Sequence, residues 1–311
     1  MKRVLVTGAT GFVGRHALPA LTARGFEVHA VSSRPGRSDA SAHWHEADLL
    51  GSGDADRVMK AVRPTHLLHL AWFVTPGAFW RAPENVDWVG ASLRLLRAFA
   101  THGEGARRAA LAGTSAEYDW SGGTCHETRT PLRPATLYGS AKHGLHVVAD
   151  AFAREAGLRL AWGRLFFLYG PYEAPGRLVS SLASSLLRGV RVPCSLGEQR
   201  RDFLHAGDAG DAFAALLDSA VDGAVNIASG EAVPVHDVIS AVAARAGGAH
   251  LLDWGGHPVS PGEAPTVVAD VARLRDEVGW QPRWSLREGL DATVDWWRGQ
   301  SGTGTGERAA T

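Results

Sequence analysis

The chain has 311 residues, long enough for one large domain or two lobes, and its 32 basic and 32 acidic side chains give a formal net charge of zero. This balance excludes a global basic field for nucleic acid, and two cysteines are too few for a disulfide framework. The sequence shows neither the pattern of a signal peptide nor an apolar stretch of ~20 residues that would cross a membrane, so we expect a cytoplasmic protein.

Strands and helices alternate through the first half of the chain. Short apolar runs predict strands over residues 3–6, 27–31, 66–70, 109–112 and 159–165. Helical patterns between them predict helices over residues 13–24, 58–62, 88–100 and 137–156. This alternation predicts an α/β fold with a doubly wound parallel sheet and helices on both faces.

The pattern changes after residue 167, where turn-forming residues become frequent. We expect helices over 178–188, 267–278 and 286–298, an irregular linker over 258–265, and a strand over 224–228 that returns to the first sheet. Residues 1–165, with a returning segment over 203–229, form the first predicted domain. Residues 166–300 form a smaller lobe, and 301–311 are predicted to be a disordered tail.

Three glycines follow the first strand at a spacing typical of dinucleotide-binding turns. Gly8 permits a tight turn, Gly11 lets the backbone approach a pyrophosphate, and Gly14 lets the next helix pack closely on the sheet. The amino terminus of that helix offers N–H groups and a positive dipole end to an anion. A purely structural turn is the alternative. We expect the whole segment to contact a cofactor: Gly8, Thr10, Gly11, Phe12, Val13 and Gly14.

The region that usually selects between NAD and NADP lacks an acid. Residues 32–37 read Ser-Ser-Arg-Pro-Gly-Arg, and Ser33 and Arg34 suit a ribose 2′-phosphate. We therefore predict a preference for NADP(H), with NAD(H) possible; an exposed loop with incidental charge is the alternative. Asp48 and Leu49 are expected near the adenine, and Leu70, Ala71 and Trp72 along the cofactor.

Tyr138 and Lys142 lie four residues apart on a predicted helix and therefore share one face. A phenol with a pKa of ~10 is a poor catalyst at neutral pH, and a nearby ammonium group lowers that pKa. Thr114 and Ser115, at the end of a predicted strand, are placed to offer a hydroxyl to the same reacting oxygen. The alternative for Ser115 is a capping role. We predict Ser115, Tyr138 and Lys142 as the catalytic residues.

Several motifs occur together in the order seen in one family. They are Thr7-Gly8-x-x-Gly11-x-x-Gly14, Asp48-Leu49, Thr114-Ser115, Tyr138-x-x-x-Lys142, Arg164, Tyr169-Gly170-Pro171, Arg201-Asp202-Phe203 and Gly279-Trp280-x-Pro282. From residue 1 to about 298 the chain resembles an extended short-chain dehydrogenase/reductase of the NAD-dependent epimerase/dehydratase family. The resemblance implies a Rossmann domain, a smaller carboxyl-terminal substrate lobe, action on nucleotide-linked sugars and assembly into a homodimer.

The resemblance also implies roles for individual residues. Ser115 and Tyr138 would bind the reacting oxygen, and Lys142 would hold the nicotinamide ribose. Asn85 matches a position near the cofactor in many relatives, and we include Phe166 there as well. The predicted substrate contacts are Thr114, Ser115, Glu117, Arg177 and Arg201.

The chain departs from the family pattern at several positions, and these departures make some of the family's reactions less expected. Ala116 stands where dehydratases carry an aspartate and where some epimerases carry a cysteine, so both branches are disfavoured. Phe167 replaces an asparagine, and Ser260 replaces an arginine, that contact the substrate diphosphate in many members. Arg177, Arg200 and Arg201 remain as candidate anion ligands. Their alternative role is pairing with Asp202 or Asp208.

We expect a reductase that acts on a keto-deoxysugar, specifically a nucleotide-linked 4-keto sugar, in deoxysugar biosynthesis. A 4-epimerase on the same site and a non-catalytic dinucleotide sensor are the alternatives. The pairs His43/His45 and His66/His69 have spacings seen in metal sites, but no matching cluster completes either one, so we predict no metal. Basic and aromatic residues form no nucleic-acid stripe.

Overall fold

The computed structural model describes residues 1–34, 36, 40–105, 107–258 and 262–302. Its strands are β1 (Lys2–Thr7), β2 (Phe26–Ser32), β3 (His43–Glu46), β4 (His66–His69), β5 (Arg108–Thr114), β6 (Thr124–Cys125), β7 (Arg159–Leu165), β8 (Phe167–Tyr169), β9 (Val192–Cys194), β10 (Arg200–Arg201), β11 (Phe203–His205), β12 (Gly223–Ile227), β13 (Val233–Pro234), β14 (Leu252–Trp254) and β15 (Thr266–Ala269). Its helices are α1 (Gly14–Ala23), α2 (Asp54–Val62), α3 (Glu84–His102), α4 (Leu137–Glu155), α5 (Leu178–Leu187), α6 (Ala206–Asp218), α7 (Val235–Ala246) and α8 (Leu286–Gly302).

A seven-stranded sheet in the order β12-β7-β5-β4-β1-β2-β3 forms the centre of the molecule. All of its neighbouring strands pair in parallel, which confirms the predicted doubly wound α/β fold. The chain runs outward in one direction from β1 to β3 and in the other from β4 to β12. The reversal between β1 and β4 opens a crevice at their carboxyl ends, which is where ligands bind in such sheets.

Alternating side chains of β1 supply two cores. Val4 and Val6 face a cluster that includes α1 and α6, whereas Leu5 faces one that includes α2, α3 and α4. Since both faces are covered, the inner strands are nearly continuous apolar runs, and every residue of β5 is buried. The sheet is therefore a rigid platform for side chains at its carboxyl edge.

A third core lies beside the sheet. Residues of α5, α7 and α8 pack around Tyr169 and Phe203, with Leu182, Val238 and Leu290 fully or almost fully buried. Small sheets flank it: β13-β10-β15-β6, β11-β8 and β14-β9. The helices of the third core and the small sheets cover the carboxyl edge of the large sheet, and a cavity lies between them and that edge.

The predicted helix over residues 267–278 is wrong. Thr266–Ala269 instead form β15, which pairs in parallel with β10 and with β6. Only a single wide turn, Arg273–Glu277, is helical in this region. The β-branched pair Val267-Val268 favours a strand where two partners are available, and Val267 is completely buried there.

The predicted tail, 301–311, lies outside the described residues except for the last two positions of α8. Residues Ser260 and Pro261 of the linker and Arg37 of the predicted cofactor region lie outside them too. None of the helices in the described part of the chain combines the length and apolar composition that crossing a membrane requires.

Candidate active site

One cavity of about 1190 Å³ runs from the glycine turn across the carboxyl edge of the sheet to β10. Most of the predicted site residues line it: Gly8, Thr10, Gly11, Phe12, Val13, Gly14, Ser33, Arg34, Asp48, Leu49, Leu70, Ala71, Trp72, Thr114, Ser115, Tyr138, Lys142, Phe166, Arg177 and Arg201. Two predicted residues, Asn85 and Glu117, do not. The volume exceeds the usual range of a site for one small ligand, which leaves room for a cofactor and a substrate together.

Steric contacts explain why glycine occupies each position of the turn. Gly8 has φ +67°, and a Cβ there would lie 2.6 Å from the backbone nitrogen of Ala71 on the neighbouring strand connection. A Cβ at Gly14 would lie only 2.1 Å from the carbonyl oxygen of Gly8. A Cβ at Gly11 would lie 3.0 Å from that oxygen and 4.0 Å from its carbonyl carbon, with no other neighbouring atom within 4 Å. Gly8 and Gly14 are therefore required by packing, whereas Gly11 keeps the backbone accessible from the cavity.

The amino terminus of α1 suits a dinucleotide phosphate. Its first turn contains no acidic side chain, and its N-cap residue Val13 makes no side-chain capping bond. The first N–H groups of a helix have no partner within the helix, and the helix dipole gives them a partial positive charge. Since the protein leaves this end uncapped, the residues present fit a pyrophosphate at the glycine turn.

The adenosine end of the cavity is formed by the ends of β2 and β3. The hydroxyl of Ser32 accepts a hydrogen bond from the backbone N–H of Arg34 at 3.1 Å, which shapes the turn that exposes Ser33 and Arg34. Asp48 is exposed, and its carboxylate accepts the N–H of Leu50 at 3.0 Å. No acid stands at residues 32–34, where an NAD-selective site usually carries one.

Thr114, rather than Ser115, is the capping residue after β5. The Thr114 hydroxyl accepts the N–H of Ala116 at 3.2 Å and so closes the short helical turn that follows. The backbone carbonyl of Ser115 accepts the indole N–H of Trp120 at 2.7 Å. The turn therefore fixes the backbone of Ser115 from both sides and presents its side chain at the cavity wall.

Tyr138 enters the cavity from the first turn of α4. Its ring meets Phe79 and Trp80 edge-on, with ring centroids 4.9 and 5.8 Å away. Its backbone N–H donates to the carbonyl of Trp80 at 3.2 Å. Thr136 caps α4 by accepting the N–H of Gly139, which fixes the start of the helix. An aromatic wall and a capped helix thus hold the phenol in place.

The expectation that Lys142 lowers the pKa of Tyr138 is not met in the protein without a bound cofactor or substrate. Burial raises the pKa of Tyr138 to about 12, an effect that a hydrogen bond from Thr114 and the positive charge of Arg177 only partly offset. Lys142 donates instead to the backbone carbonyl of Ala112 at 2.8 Å, and its Nζ lies 3.7 Å from the centre of the Trp72 ring. Burial lowers the pKa of Lys142 to about 7. The phenol therefore holds its proton at neutral pH.

Glu117 is part of the support under the site and not a substrate ligand. Its carboxylate is completely buried and accepts the N–H of Thr114, the indole N–H of Trp162 and the Nε–H of Arg164, each at 2.9 Å. Arg164 also donates to the hydroxyl of Tyr118 at 2.9 Å. Glu117 itself does not line the cavity, and its bond to the N–H of Thr114 positions the end of β5.

Asn85 acts on the cavity only through another residue. It is completely buried, and its side-chain carbonyl accepts the indole N–H of Trp72 at 2.9 Å. Its amide donates to the carbonyls of Phe79 and Ala82, each at 2.8 Å. Asn85 therefore holds in place the Trp72 ring, which the Lys142 amine contacts, and the segment that contains Phe79.

Neither Asp202 nor Asp208 pairs with the candidate anion-binding arginines. Asp202 accepts N–H groups from Ser229, Gly230 and Ala269 at 2.8–3.1 Å, and Asp208 accepts two more from residues 283 and 284. Arg201 pairs instead with Glu263 at 2.6 Å. Arg200 is exposed and donates to the carbonyl of Ala232 at 3.2 Å.

Phe79, Glu173 and Glu263 are among the cavity residues that were missed from the sequence. Glu173 is buried and accepts the N–H of Ser180 at 2.8 Å, and burial raises its pKa to about 7. Its place two residues after Tyr169-Gly170-Pro171 was the available signal. Phe79 and Glu263 lie in irregular segments, where residue spacing carries no information.

The discounted histidine pairs lie away from this cavity. His45 and His29 share a hydrogen bond of 2.8 Å across β2 and β3. His69 is buried between the hydroxyls of Thr7 and Ser92. Over the described ranges, no set of three or more histidine, cysteine or acidic side chains is arranged to hold a metal ion.

The arrangement of a glycine turn, Ser115, Tyr138 and Lys142 on one parallel sheet agrees with a comparison of sequences. Residues 4–228 match the model of the NAD dependent epimerase/dehydratase family. The chain belongs to this family. The chain is similar to a dTDP-glucose 4,6-dehydratase of Streptomyces antibioticus, which is 28% identical over 95% of this chain and 92% of its own length.

Solved structures show the same similarity across almost the whole chain. MoeE5 in complex with UDP-glucuronic acid and NAD is 31% identical, covers 96% of this chain and 99% of its own, and superposes with a TM-score of 0.80. The UDP-glucose 4-epimerase of Thermus thermophilus, in complex with NAD, is 28% identical with a TM-score of 0.83 over 96% and 99% of the two chains. The protein is therefore an enzyme-family member with the Rossmann fold of nucleotide-sugar-modifying relatives.

Proposed function

We propose that this protein is an NAD(P)-dependent reductase that acts on the 4-keto group of a nucleotide-linked deoxysugar. One observation carries the proposal: a single cavity contains both the uncapped glycine turn and the Ser115, Tyr138 and Lys142 side chains. A nicotinamide cofactor bound at the turn supplies hydride. The side chains at the other end of that site supply the proton and hold the reacting oxygen.

The protein's part in the reaction is proton transfer and positioning. Tyr138 donates its phenolic proton to the carbonyl oxygen, and Ser115 donates a hydrogen bond to the same oxygen. As hydride reaches the carbon, the oxygen takes that proton and becomes the hydroxyl of the product. In this proposal Lys142, a buried amine whose pKa is lowered to about 7, holds a ribose hydroxyl of the cofactor and returns a proton to Tyr138.

The protonation state of Tyr138 supports the reductive direction. A phenol whose pKa is raised to about 12 carries a proton at neutral pH and is ready to act as an acid. An oxidation, which is also the first half of an epimerisation, needs the same group as a base. Water elimination is disfavoured because Ala116, almost fully buried at the cavity wall, has no carboxyl group to protonate a leaving hydroxyl.

The second candidate function is a nucleotide-sugar 4-epimerase. It is favoured by the relative of Thermus thermophilus, which is a UDP-glucose 4-epimerase in complex with NAD. The two functions use the same side chains, but an epimerase regenerates its cofactor within each turnover and a reductase consumes it.

Reduced cofactor consumption tests the proposal. The purified protein is mixed with NADPH or NADH and a dTDP-linked 4-keto-6-deoxyglucose, and loss of reduced nicotinamide is compared with product formed. We expect one reduced cofactor consumed per product. Interconversion of UDP-glucose and UDP-galactose without net consumption of reduced nicotinamide would contradict the reductase and support the epimerase.

A further inference from the structure

The amine of Lys142 lies in the protein interior without a carboxylate as its direct partner. The side chain belongs to a residue that is only 4% exposed, and burial lowers its pKa to about 7. Within the described residues, no carboxylate forms an ion pair with it; the charge that reaches it is that of Glu117, which pairs with Arg164. Because a buried ammonium group is costly, any contact that favours its charged form affects when it carries a proton.

The ring of Trp72 makes such a contact. The Nζ atom of Lys142 lies 3.7 Å from the centre of this ring, well within the distance at which the face of an indole attracts a cation. The amine also donates to the backbone carbonyl of Ala112 at 2.8 Å. An ammonium group has three N–H donors, so the arrangement leaves donors for a ribose hydroxyl in the cavity that all three residues line.

The protein fixes the orientation of the Trp72 ring. Trp72 follows β4, and its indole N–H donates to the side-chain carbonyl of Asn85 at 2.9 Å. Asn85 is completely buried, and its amide donates to the carbonyls of Phe79 and Ala82. Since the ring is held at its edge by a hydrogen bond, its electron-rich face is left for Lys142.

The other ionisable groups around Lys142 do not replace this contact. The carboxylate of Glu117, in the turn after β5, is bonded to Arg164 at 2.9 Å. His69, on β4, has its pKa lowered to about 3 by burial and by the charge of Lys142, so it is neutral. Tyr138, on the same helix as Lys142, holds its proton because burial raises its pKa to about 12. The Trp72 ring is therefore the close neighbour whose electrostatics favour the charged amine.

We propose that Trp72 is a positioning residue for Lys142: the face of its ring stabilises the amine as an ammonium group and holds it beside the cofactor end of the cavity. The catalytic consequence rests on the proposed function, in which the protonated amine returns a proton to Tyr138. Without the electron-rich face, Lys142 should lose its proton at a lower pH, and the reduction should then fail at a lower pH.

A titration of the lysine side chains by nuclear magnetic resonance tests the assignment. The chain contains three lysines, and Lys2 and Lys60 are exposed. Fluorinated tryptophan is placed at residue 72 of the full chain, because fluorine withdraws electron density from the ring face and changes the ring's shape little. We expect the titration midpoint of Lys142 to fall with each fluorine, by about half a pH unit or more for tetrafluorotryptophan. The curves of Lys2 and Lys60 should not change.

The pH dependence of kcat for the reduction is the second measurement. The reaction needs the protonated amine, so activity is lost as the pH rises through the pKa of Lys142. We expect Trp72→Leu to move this alkaline limb down by about one pH unit or more, and Trp72→Phe, which keeps an aromatic face, to move it less. Trp284→Leu, at an exposed tryptophan outside the cavity, should leave the limb in place.

An unchanged Lys142 midpoint with tetrafluorotryptophan would overturn the assignment, because the contact with Trp72 would then be packing alone. Loss of activity in Trp72→Leu by the same factor at every pH would overturn it as well, since a merely structural role gives that result. Failure of the proposed function has a different signature: the Lys142 midpoint falls as expected, but the protein does not oxidise NAD(P)H with a keto sugar.

Discussion

The environment of each side chain in this site is determined by contacts between residues that are distant in the sequence. Tyr138 and Lys142 share a helix face, yet Lys142 bonds to Ala112 on β5 and rests on Trp72 after β4. Burial therefore sets the pKa of Tyr138 in the protein alone. Thr114 and Arg177 lower that pKa only in part, so burial remains the larger effect on the phenol.

We propose that the residues after β2 determine the cofactor preference. If Arg34 holds a 2′-phosphate, Arg34→Ala should raise the KM for NADPH by about tenfold or more, because a charge-assisted hydrogen bond is lost. The KM for NADH should stay within about twofold. Initial-rate kinetics with both cofactors measure this. The exposed Arg97, on α3 outside the cavity, gives a matched control, and equal effects on both cofactors would contradict a role in NADP selection.

The common location of the three proposed catalytic residues could be predicted from the sequence, because helix spacing and strand ends determine where they lie. Tyr138, Lys142 and Ser115 follow from those local rules. The role of Glu117 could not be predicted, because its partners Trp162 and Arg164 come from a strand more than 40 residues later. Glu263 was missed for the same reason, since 62 residues separate it from Arg201.

At the level of elements, the turn between β1 and α1 combines a packing role with a binding role. Both Gly11 and Gly14 line the cavity, but a Cβ at Gly14 would lie 2.1 Å from the carbonyl oxygen of Gly8, whereas one at Gly11 would lie 3.0 Å from it. We therefore expect substitution of Gly14 to affect the stability of the fold and substitution of Gly11 to affect cofactor binding.

Two alanine substitutions test that separation. Gly14→Ala should lower the free energy of unfolding by about 1–3 kcal/mol, because its Cβ has no space. Gly11→Ala should change it by less than about 1 kcal/mol and still weaken dinucleotide binding by about tenfold or more, because the methyl group takes the place of the pyrophosphate. Thermal denaturation and fluorescence titration measure the two quantities. Equal cofactor affinity in Gly11→Ala and wild type would contradict the assignment.

The elements of the large sheet were predictable and those beside it were not. Buried parallel strands are continuous apolar runs, so β1, β4, β5 and β7 are visible in the sequence. Short strands such as β15 form only where other strands offer partners. The helices α6 and α7, absent from the prediction, are rich in alanine and directly follow the short strands β11 and β13, which offer no strong start signal.

At the scale of the whole molecule, the cavity lies between the carboxyl edge of the large sheet and the elements of the third core. On the opposite side of α3 and α4, apolar side chains are exposed: Val86, Val147 and Val148 are 62%, 55% and 49% exposed. We propose that this surface joins two copies of the chain, because exposed apolar patches commonly mark such contacts.

Light scattering coupled to gel filtration tests the proposed dimer. The wild-type protein should have twice the mass of the chain, and Val147→Lys should shift it toward the monomer, because a charge would be buried at the interface. Val190→Lys, at a valine of similar exposure in the loop after α5, should leave the mass unchanged. A monomeric wild-type protein would refute the dimer.

The most direct test of the central claim follows a labelled hydride in a single turnover. The protein is mixed with NADPH deuterated at C4 of the nicotinamide and with the dTDP-linked 4-keto sugar, and the product is analysed by mass spectrometry. We predict one deuterium at the reduced carbon, a loss of rate of about 100-fold or more in Tyr138→Phe, and an unchanged rate in Tyr172→Phe, whose exposed ring lies outside the cavity. Product without deuterium, or turnover by Tyr138→Phe at the wild-type rate, would contradict hydride reduction with Tyr138 as the proton donor.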